Sequence, residues 1–152
     1  MVVLLLTACQ KDDLSQEVAF YSLKKFDKNG VFAIDEGSAE LGNEILISYD
    51  NLLSYDSKSH AFTIPEELTN EIDVDLSSIG YFQKPFAVAI GKKIIYTGYF
   101  WSALSSLAPD WTTAIPFGNT LSINLSFDSQ SNDQRNDPRI LDIFRRDGKL
   151  ME

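Results

Sequence analysis

The chain holds one cysteine and one histidine, so few of its side chains are suited to act as a nucleophile or a general base. A catalytic Ser-His-Asp triad would need His60, and three serines lie nearby in the sequence, Ser54, Ser57 and Ser59. No Gly-x-Ser-x-Gly turn occurs, however, and we expect His60 to be an ordinary loop residue. The other candidate, Cys9, forms no disulfide within the chain and belongs to no Cys/His zinc set.

The residues before Cys9 suggest what its thiol does. Val2 to Leu6 are apolar, and Leu6-Thr7-Ala8-Cys9 resembles the bacterial lipobox. The resemblance implies that residues 1–8 are part of a signal peptide, that the chain is cut before Cys9, and that the thiolate of Cys9 takes a diacylglyceryl group. The apolar run is short and no basic residue precedes it, so we expect the true start to lie upstream or the chain to have been trimmed. The alternative is a buried strand over residues 2–8.

The next four residues, Gln10-Lys11-Asp12-Asp13, resemble the export signal of Bacteroidetes-type surface lipoproteins. This resemblance implies a lipid-anchored protein of the outer membrane, exposed at the cell surface. The alternative is that residues 9–17 are only a polar tether that separates a domain over residues 18–152 from the lipid head groups.

Acidic residues are the remaining candidates for chemistry. The loop from Asp27 to Val31 and the loop over residues 128–137 both fail the ligand spacing of an EF-hand, although an irregular calcium site in the second stays open. Two carboxylate pairs, Glu66-Glu67 and Asp73/Asp75, meet the minimal requirement for glycoside hydrolysis, but adjacent acids are ordinary in a chain of net charge -9. We therefore predict no enzyme, no metal and no cofactor.

An aromatic cluster is the strongest candidate for ligand binding. Tyr96, Tyr99, Phe100 and Trp101 lie in one segment, and Trp111 follows ten residues later. At strand spacing, Tyr99 and Trp101 share one face and Tyr96 and Phe100 share the other, so one set belongs to a core. We predict that some of Tyr99, Trp101 and Trp111 bind a sugar ring or a protein, with the loop over residues 102–116 carrying the site.

The elements that must position these residues are mostly strands. Phe86 to Ile90, Gly91-Lys92 and Lys93 to Thr97 predict a hairpin with a type II′ turn, and Leu121 to Phe127 alternate as a half-buried strand. Ile72, Val74 and Leu76 alternate with Asp73 and Asp75, which indicates an extended edge segment. The fold class predicted is mainly β, an antiparallel sandwich or barrel.

Helices are expected to be short. Pro65 and the acidic pair after it predict one or two helical turns. Asp137-Pro138 predicts the start of a C-terminal helix that ends at Gly148.

Composition limits the partners. The acidic surface disfavours nucleic acid and electrostatic docking on anionic lipids. The function predicted is a non-catalytic binding or assembly lipoprotein whose domain contacts a protein complex or a glycan. The alternative is a module that captures a glycan or nutrient and passes it to a transporter, and a hydrolase is a remote third reading.

Overall fold

The computed structural model describes residues 16–77, 83–127 and 132–152, with the side chains of residues 73–77 left undescribed. Cys9, the lipobox and most of the tether lie outside these ranges. The described elements, in chain order, are β1 (Val18–Lys28), β2 (Ile34–Ile47), a 3₁₀ turn (Tyr49–Asn51), β3 (Ser54–Asp56), β4 (Ala61–Thr63), α1 (Glu66–Ser77), β5 (Pro85–Ile90), β6 (Lys93–Phe100), β7 (Thr113–Phe117), β8 (Thr120–Asn124), α2 (Pro138–Arg146) and β9 (Leu150–Met151).

All the described strands belong to one sheet, in the order β2-β1-β5-β6-β7-β8-β4-β3-β9. Neighbouring strands are antiparallel except for two parallel pairs, β6 with β7 and β3 with β9. The prediction of a mainly β fold with one or two short helices, one of them C-terminal, is confirmed, and the structure has two described α-helices. The order is linear, with β2 and β9 as its two edges.

The sheet curls around its core. Four strands separate β1 from β4 in the sheet, which in a flat sheet would place them roughly 24 Å apart. The ring centroids of Phe20 on β1 and Phe62 on β4 are nevertheless 5.5 Å apart. One face of the sheet therefore folds over on itself and encloses a main core, in which Phe20, Phe62, Phe86, Phe100 and Phe144 are fully buried.

Glycine turns set the two tight hairpins that build the middle of the sheet. Ile90 pairs with Lys93 across Gly91, which has a φ of 59° and confirms the predicted hairpin. Phe117 pairs with Thr120 across Gly118, which has a φ of 62°. Glycine suits both positions because other residues rarely adopt a positive φ.

The extended segment predicted around Ile72 is wrong, because residues 66–77 form α1. The helix buries Leu68, Thr69 and Ile72 at three- and four-residue spacing against the sheet. The alternation at positions 72, 74 and 76 covers too few residues to outweigh the start signal at Pro65 and its acidic first turn. Strand β8 is also shorter than predicted, since it ends at Asn124.

The C-terminal helix has the predicted ends. Asp137 caps α2 by accepting a hydrogen bond from the backbone N–H of Arg139 at 2.9 Å, and Pro138 is its first residue. Gly148 follows the helix with a φ of 67°. Ile140, Ile143 and Phe144 point into the main core, so α2 covers the sheet near β3 and β4.

Candidate functional site

The predicted aromatic residues are brought together, but in a second core rather than on a surface. Tyr99, on the outer face of β6, and Trp101, directly after the end of β6, are both 3% exposed. The hairpin of β1 and β2 folds over that face and packs Phe32 edge-on against both rings, with centroid distances of 5.5 and 5.2 Å. We call this cluster the outer core; it also contains Leu23, Phe26, Ile34, Ala39, Trp111 and Ile115.

The polar side-chain atoms of Tyr99, Trp101 and Trp111 all form hydrogen bonds within the domain. The hydroxyl of Tyr99 donates to the carbonyl of Phe32 at 2.8 Å, and the indole N–H of Trp101 donates to the carbonyl of Leu107 at 3.2 Å. The indole N–H of Trp111 donates to Oγ1 of Thr97 at 3.0 Å. Ligand binding by these residues stays a prediction, but the geometry leaves no free ring face on Tyr99 or Trp101, and only Trp111 is partly exposed.

Asp110 holds the covering hairpin in place. Its carboxylate accepts hydrogen bonds from three consecutive backbone N–H groups, those of Val31, Phe32 and Ala33, at 3.0, 2.7 and 3.1 Å. A carboxylate that accepts several backbone N–H bonds is well suited to fix a turn. The loop predicted to carry a ligand site therefore carries the residue that locks the β1–β2 hairpin over the outer core.

The same hairpin carries a partly buried carboxylate on β2, that of Glu36. Oε1 of Glu36 accepts hydrogen bonds from the backbone N–H and the hydroxyl of Thr97, at 2.7 and 2.9 Å. Strand β7 begins beside Tyr99, so Thr97 lies before its start and has no β7 neighbour. The N–H of Thr97 bonds to Glu36 rather than to a strand. Burial raises the pKa of Glu36 above its ordinary value of 4.5, although the two bonds from Thr97 oppose the shift.

Replacing Glu36 with glutamine should flatten one part of the pH dependence of stability. The pKa of Glu36 is higher in the folded state than its ordinary value of 4.5. Ionisation of Glu36 therefore lowers the free energy of unfolding as the pH rises from about 4.5 through the pKa of the folded state. Glutamine keeps the acceptor oxygen for Thr97 and never ionises. We expect the free energy of unfolding of Glu36→Gln, measured by urea denaturation, to gain on that of the wild type between pH 4 and pH 7. A constant difference across this range would show that Glu36 is not desolvated as described.

His60 does not have the surroundings of a catalytic base. It is half-buried in the turn between β3 and β4 with a φ of 54°, and its Nδ1 lies 3.4 Å from the hydroxyl of Tyr55. That hydroxyl lies 2.9 Å from the carbonyl of Arg135 and from the side-chain oxygen of Asn136. Within the described ranges, no serine hydroxyl is bonded to His60 and no group of three or more His, Cys, Asp or Glu residues is arranged to hold a metal ion.

A cleft with exposed apolar walls lies elsewhere and was not predicted. It has a volume of about 310 Å³ and lies between α1, the loop after β6 and the hairpin of β7 and β8. Two large apolar side chains line it and project into solvent, Leu104 at 96% and Phe117 at 82% exposure. We call it the α1–hairpin cleft; its other lining residues include Thr69, Asn70, Ser102 and Pro116.

None of the described lining residues of the cleft has an ionisable side chain. The hydroxyl of Thr69 is turned inward, 3.3 Å from the carbonyl of Pro65, and the hydroxyl of Ser102 accepts from the N–H of Leu104 at 3.2 Å. Exposed apolar side chains next to such hydroxyl groups are suited to contact with a partner. In the sequence, the pair Phe117-Gly118 is the signal that could have indicated the cleft, because it places an aromatic residue directly before a turn.

The comparisons with known proteins add no relative: no family model matches the chain, and neither a curated protein nor a solved structure does. Among the helices described, none has the length and apolar character needed to cross a membrane.

Proposed function

We propose that this chain is a non-catalytic lipoprotein, anchored in the outer membrane by lipid on Cys9 and exposed at the cell surface, whose β domain binds a partner protein. The observation that carries the binding role is the α1–hairpin cleft with Leu104 and Phe117 on its walls. Both side chains line the same cleft, and large exposed apolar patches are uncommon on monomeric soluble domains and often mark interaction sites. Covering them would contribute roughly 1.5–3 kcal/mol for each side chain.

The position of the cleft supports this role. Strand β1 begins beside the β5–β6 turn, where the N–H of Gly91 bonds to the carbonyl of Glu17 at 3.3 Å. Strand β7 runs parallel to β6, starts beside Tyr99 and ends at Phe117, beyond the end of β6. The cleft is therefore at the end of the sheet opposite to the start of β1. A domain tethered through residues 9–17 would offer the cleft to a partner away from the lipid.

The chemistry of the partner surface follows from the lining. No Lys or Arg occurs between Lys93 and Arg135, and the described lining residues include no charged group that could neutralise one on the partner. Burying a neutral polar group without a hydrogen-bond partner costs roughly 2–7 kcal/mol, and burying an unpaired charge costs more. The partner should therefore present uncharged, apolar side chains to Leu104 and Phe117.

The alternative function, capture of a glycan or nutrient for a transporter, uses the same cleft. An exposed aromatic ring next to the side-chain amide of Asn70 is a combination on which neutral sugars stack and form hydrogen bonds. Thermal shift with neutral oligosaccharides separates the two functions. A rise in Tm that Asn70→Ala and Phe117→Ala both abolish would favour glycan capture.

Chemical cross-linking in intact cells, followed by mass spectrometry, tests the proposed function. We expect the wild type to yield a reproducible protein partner and the double variant Leu104→Ser/Phe117→Ser to lose most of that product. Val31→Ser is the matched control, because Val31 is also an exposed apolar residue but lies at the tip of the β1–β2 hairpin. Equal loss in the control, or no loss in the double variant, would rule out the cleft as the binding surface.

A further inference from the structure

A second concavity lies on the outer face of the sheet, at the other end of the domain from the α1–hairpin cleft. We call it the outer groove; its volume is about 600 Å³. Tyr21, Leu41, Ile45 and Ile94 provide its apolar walls, and Lys92 and Glu40 are its charged lining residues. Its volume is in the range of small-molecule sites, and its mix of apolar walls with a few polar groups is typical of them.

An irregularity in the edge strand builds this groove. Tyr21 pairs with Ile45 and Leu23 pairs with Leu41, so two steps along β1 correspond to four along β2. The extra residues of this bulge bend β2 away from the sheet, and bulges often occur beside binding sites. Gly42 lies against Ser22 so closely that a Cβ there would come within 3.1 Å of the carbonyl oxygen of Ser22. A side chain at position 42 would therefore require Ser22 to shift.

The charges of the outer groove are separated along its length. Lys92 is in the turn after Ile90, which pairs with Val18, whereas Glu40 pairs with Lys25 seven residues further along β1. Seven residues of extended strand span roughly 23 Å. Glu40 therefore faces a basic neighbour at one end, and Lys92 provides the positive charge at the other.

Among the described residues, no carboxylate forms an ion pair with Lys92. The acid on the bulge, Glu44, is 3.3 Å from the Nζ of Lys84. An ammonium group next to apolar walls is complementary to a carboxylate that carries an apolar body.

We propose that the outer groove binds an apolar molecule with a single carboxylate. The carboxylate accepts hydrogen bonds from Nζ of Lys92, and the apolar body lies over Tyr21, Ile45 and Ile94. Two sources share this chemistry, a fatty acid and the C-terminus of an apolar peptide. The inference does not rest on the proposed function, because it uses none of the residues of the α1–hairpin cleft.

The test uses the full chain with Cys9→Ala, so that no attached lipid competes, and follows backbone amides by NMR. The probes are two matched pairs: octanoate with octanol, and acetyl-Val-Leu-Leu as the free acid with its C-terminal amide. Each acid differs from its partner mainly in the carboxylate. An exposed ion pair contributes up to about 1 kcal/mol, so we expect at least one acid to bind about fivefold more tightly than its neutral partner.

Variants then locate the site. Lys92→Met should abolish the preference for the acid, whereas Lys93→Met, the adjacent lysine, should leave it unchanged. The amides of Tyr21, Ile45 and Ile94 should shift on binding. Binding of octanoate alone would identify a fatty acid, and binding of the peptide acid alone would identify a chain terminus. The proposal is overturned if neither acid binds, if acid and neutral partner bind equally, or if the preference survives Lys92→Met.

Discussion

Replacing Cys9 with alanine will move the protein from the membrane pellet to the soluble periplasmic fraction. The reason is that the lipobox prediction gives Cys9 the thiolate that carries the lipid. Burial of acyl chains contributes roughly 0.8 kcal/mol for each CH₂, so two or three chains hold a protein in the membrane durably and none leaves it free. Since none of the described helices is suited to crossing a membrane, the described domain adds no helical anchor of its own. Cell fractionation with immunoblotting measures the effect.

The matched control for this prediction is Gln10→Ala, which alters the residue after the lipid site and keeps the thiol. It should stay in the membrane pellet, and mass spectrometry of its N-terminal peptide should show the acyl groups. If Cys9→Ala also remained in the pellet with an acylated N-terminus, the lipobox interpretation would be wrong.

The largest expected effect on folding is that of Asp110→Ala. The variant loses the acceptor for three backbone N–H groups of the β1–β2 hairpin. Hydrogen bonds to a charged acceptor contribute roughly 1.5–3 kcal/mol each, less where water replaces the acceptor, so we expect a loss of about 2–4 kcal/mol. The hairpin tip should open, because Phe32 covers Tyr99 and Trp101 only while the tip is held.

Three measurements check the Asp110 prediction together. Urea denaturation gives the loss in free energy of unfolding, hydrogen exchange should show lost protection at residues 31–33, and tryptophan emission should shift to the red. Asp35→Ala is the control, since the carboxylate of Asp35 accepts a local bond from the N–H of Gly37 at 3.1 Å and none from the hairpin tip. Asp110→Asn should be intermediate, because Oδ1 alone accepts from Phe32 and Ala33. Unchanged exchange in Asp110→Ala would show that the carboxylate does not hold the hairpin.

Local signals predicted much of the fold. Gly91-Lys92 between two apolar strands indicated a hairpin because glycine permits the turn, and Asp137-Pro138 indicated the start of α2 because a cap and a proline act over one turn. Segment 72–76 was misassigned because Ile72 packs against distant strands, and two-residue alternation over so few positions does not distinguish a strand from a helix face.

The environment of the aromatic residues was beyond local signals. Alternation along β6 correctly separated Tyr96 and Phe100 from Tyr99 and Trp101, but it does not tell whether a second element covers the outer face. That cover comes from Phe32, whose N–H is tied to Asp110 across 78 residues of sequence. Phe117 was missed for a similar reason: β7 covers the last residues of the segment predicted as a loop, and the exposure of Phe117 depends on α1 and the loop after β6.

The central claim is that the α1–hairpin cleft is the surface through which this protein contacts a partner protein. A photoreactive phenylalanine analogue at position 117, in the lipidated protein on intact cells, tests it most directly. Position 127 is the control, because Phe127 is also a phenylalanine and is 88% exposed, against 82% for Phe117. The account predicts a discrete protein adduct from position 117 that Leu104→Ser weakens and that position 127 does not give. No protein adduct from position 117, or the same adducts from both positions, would contradict it.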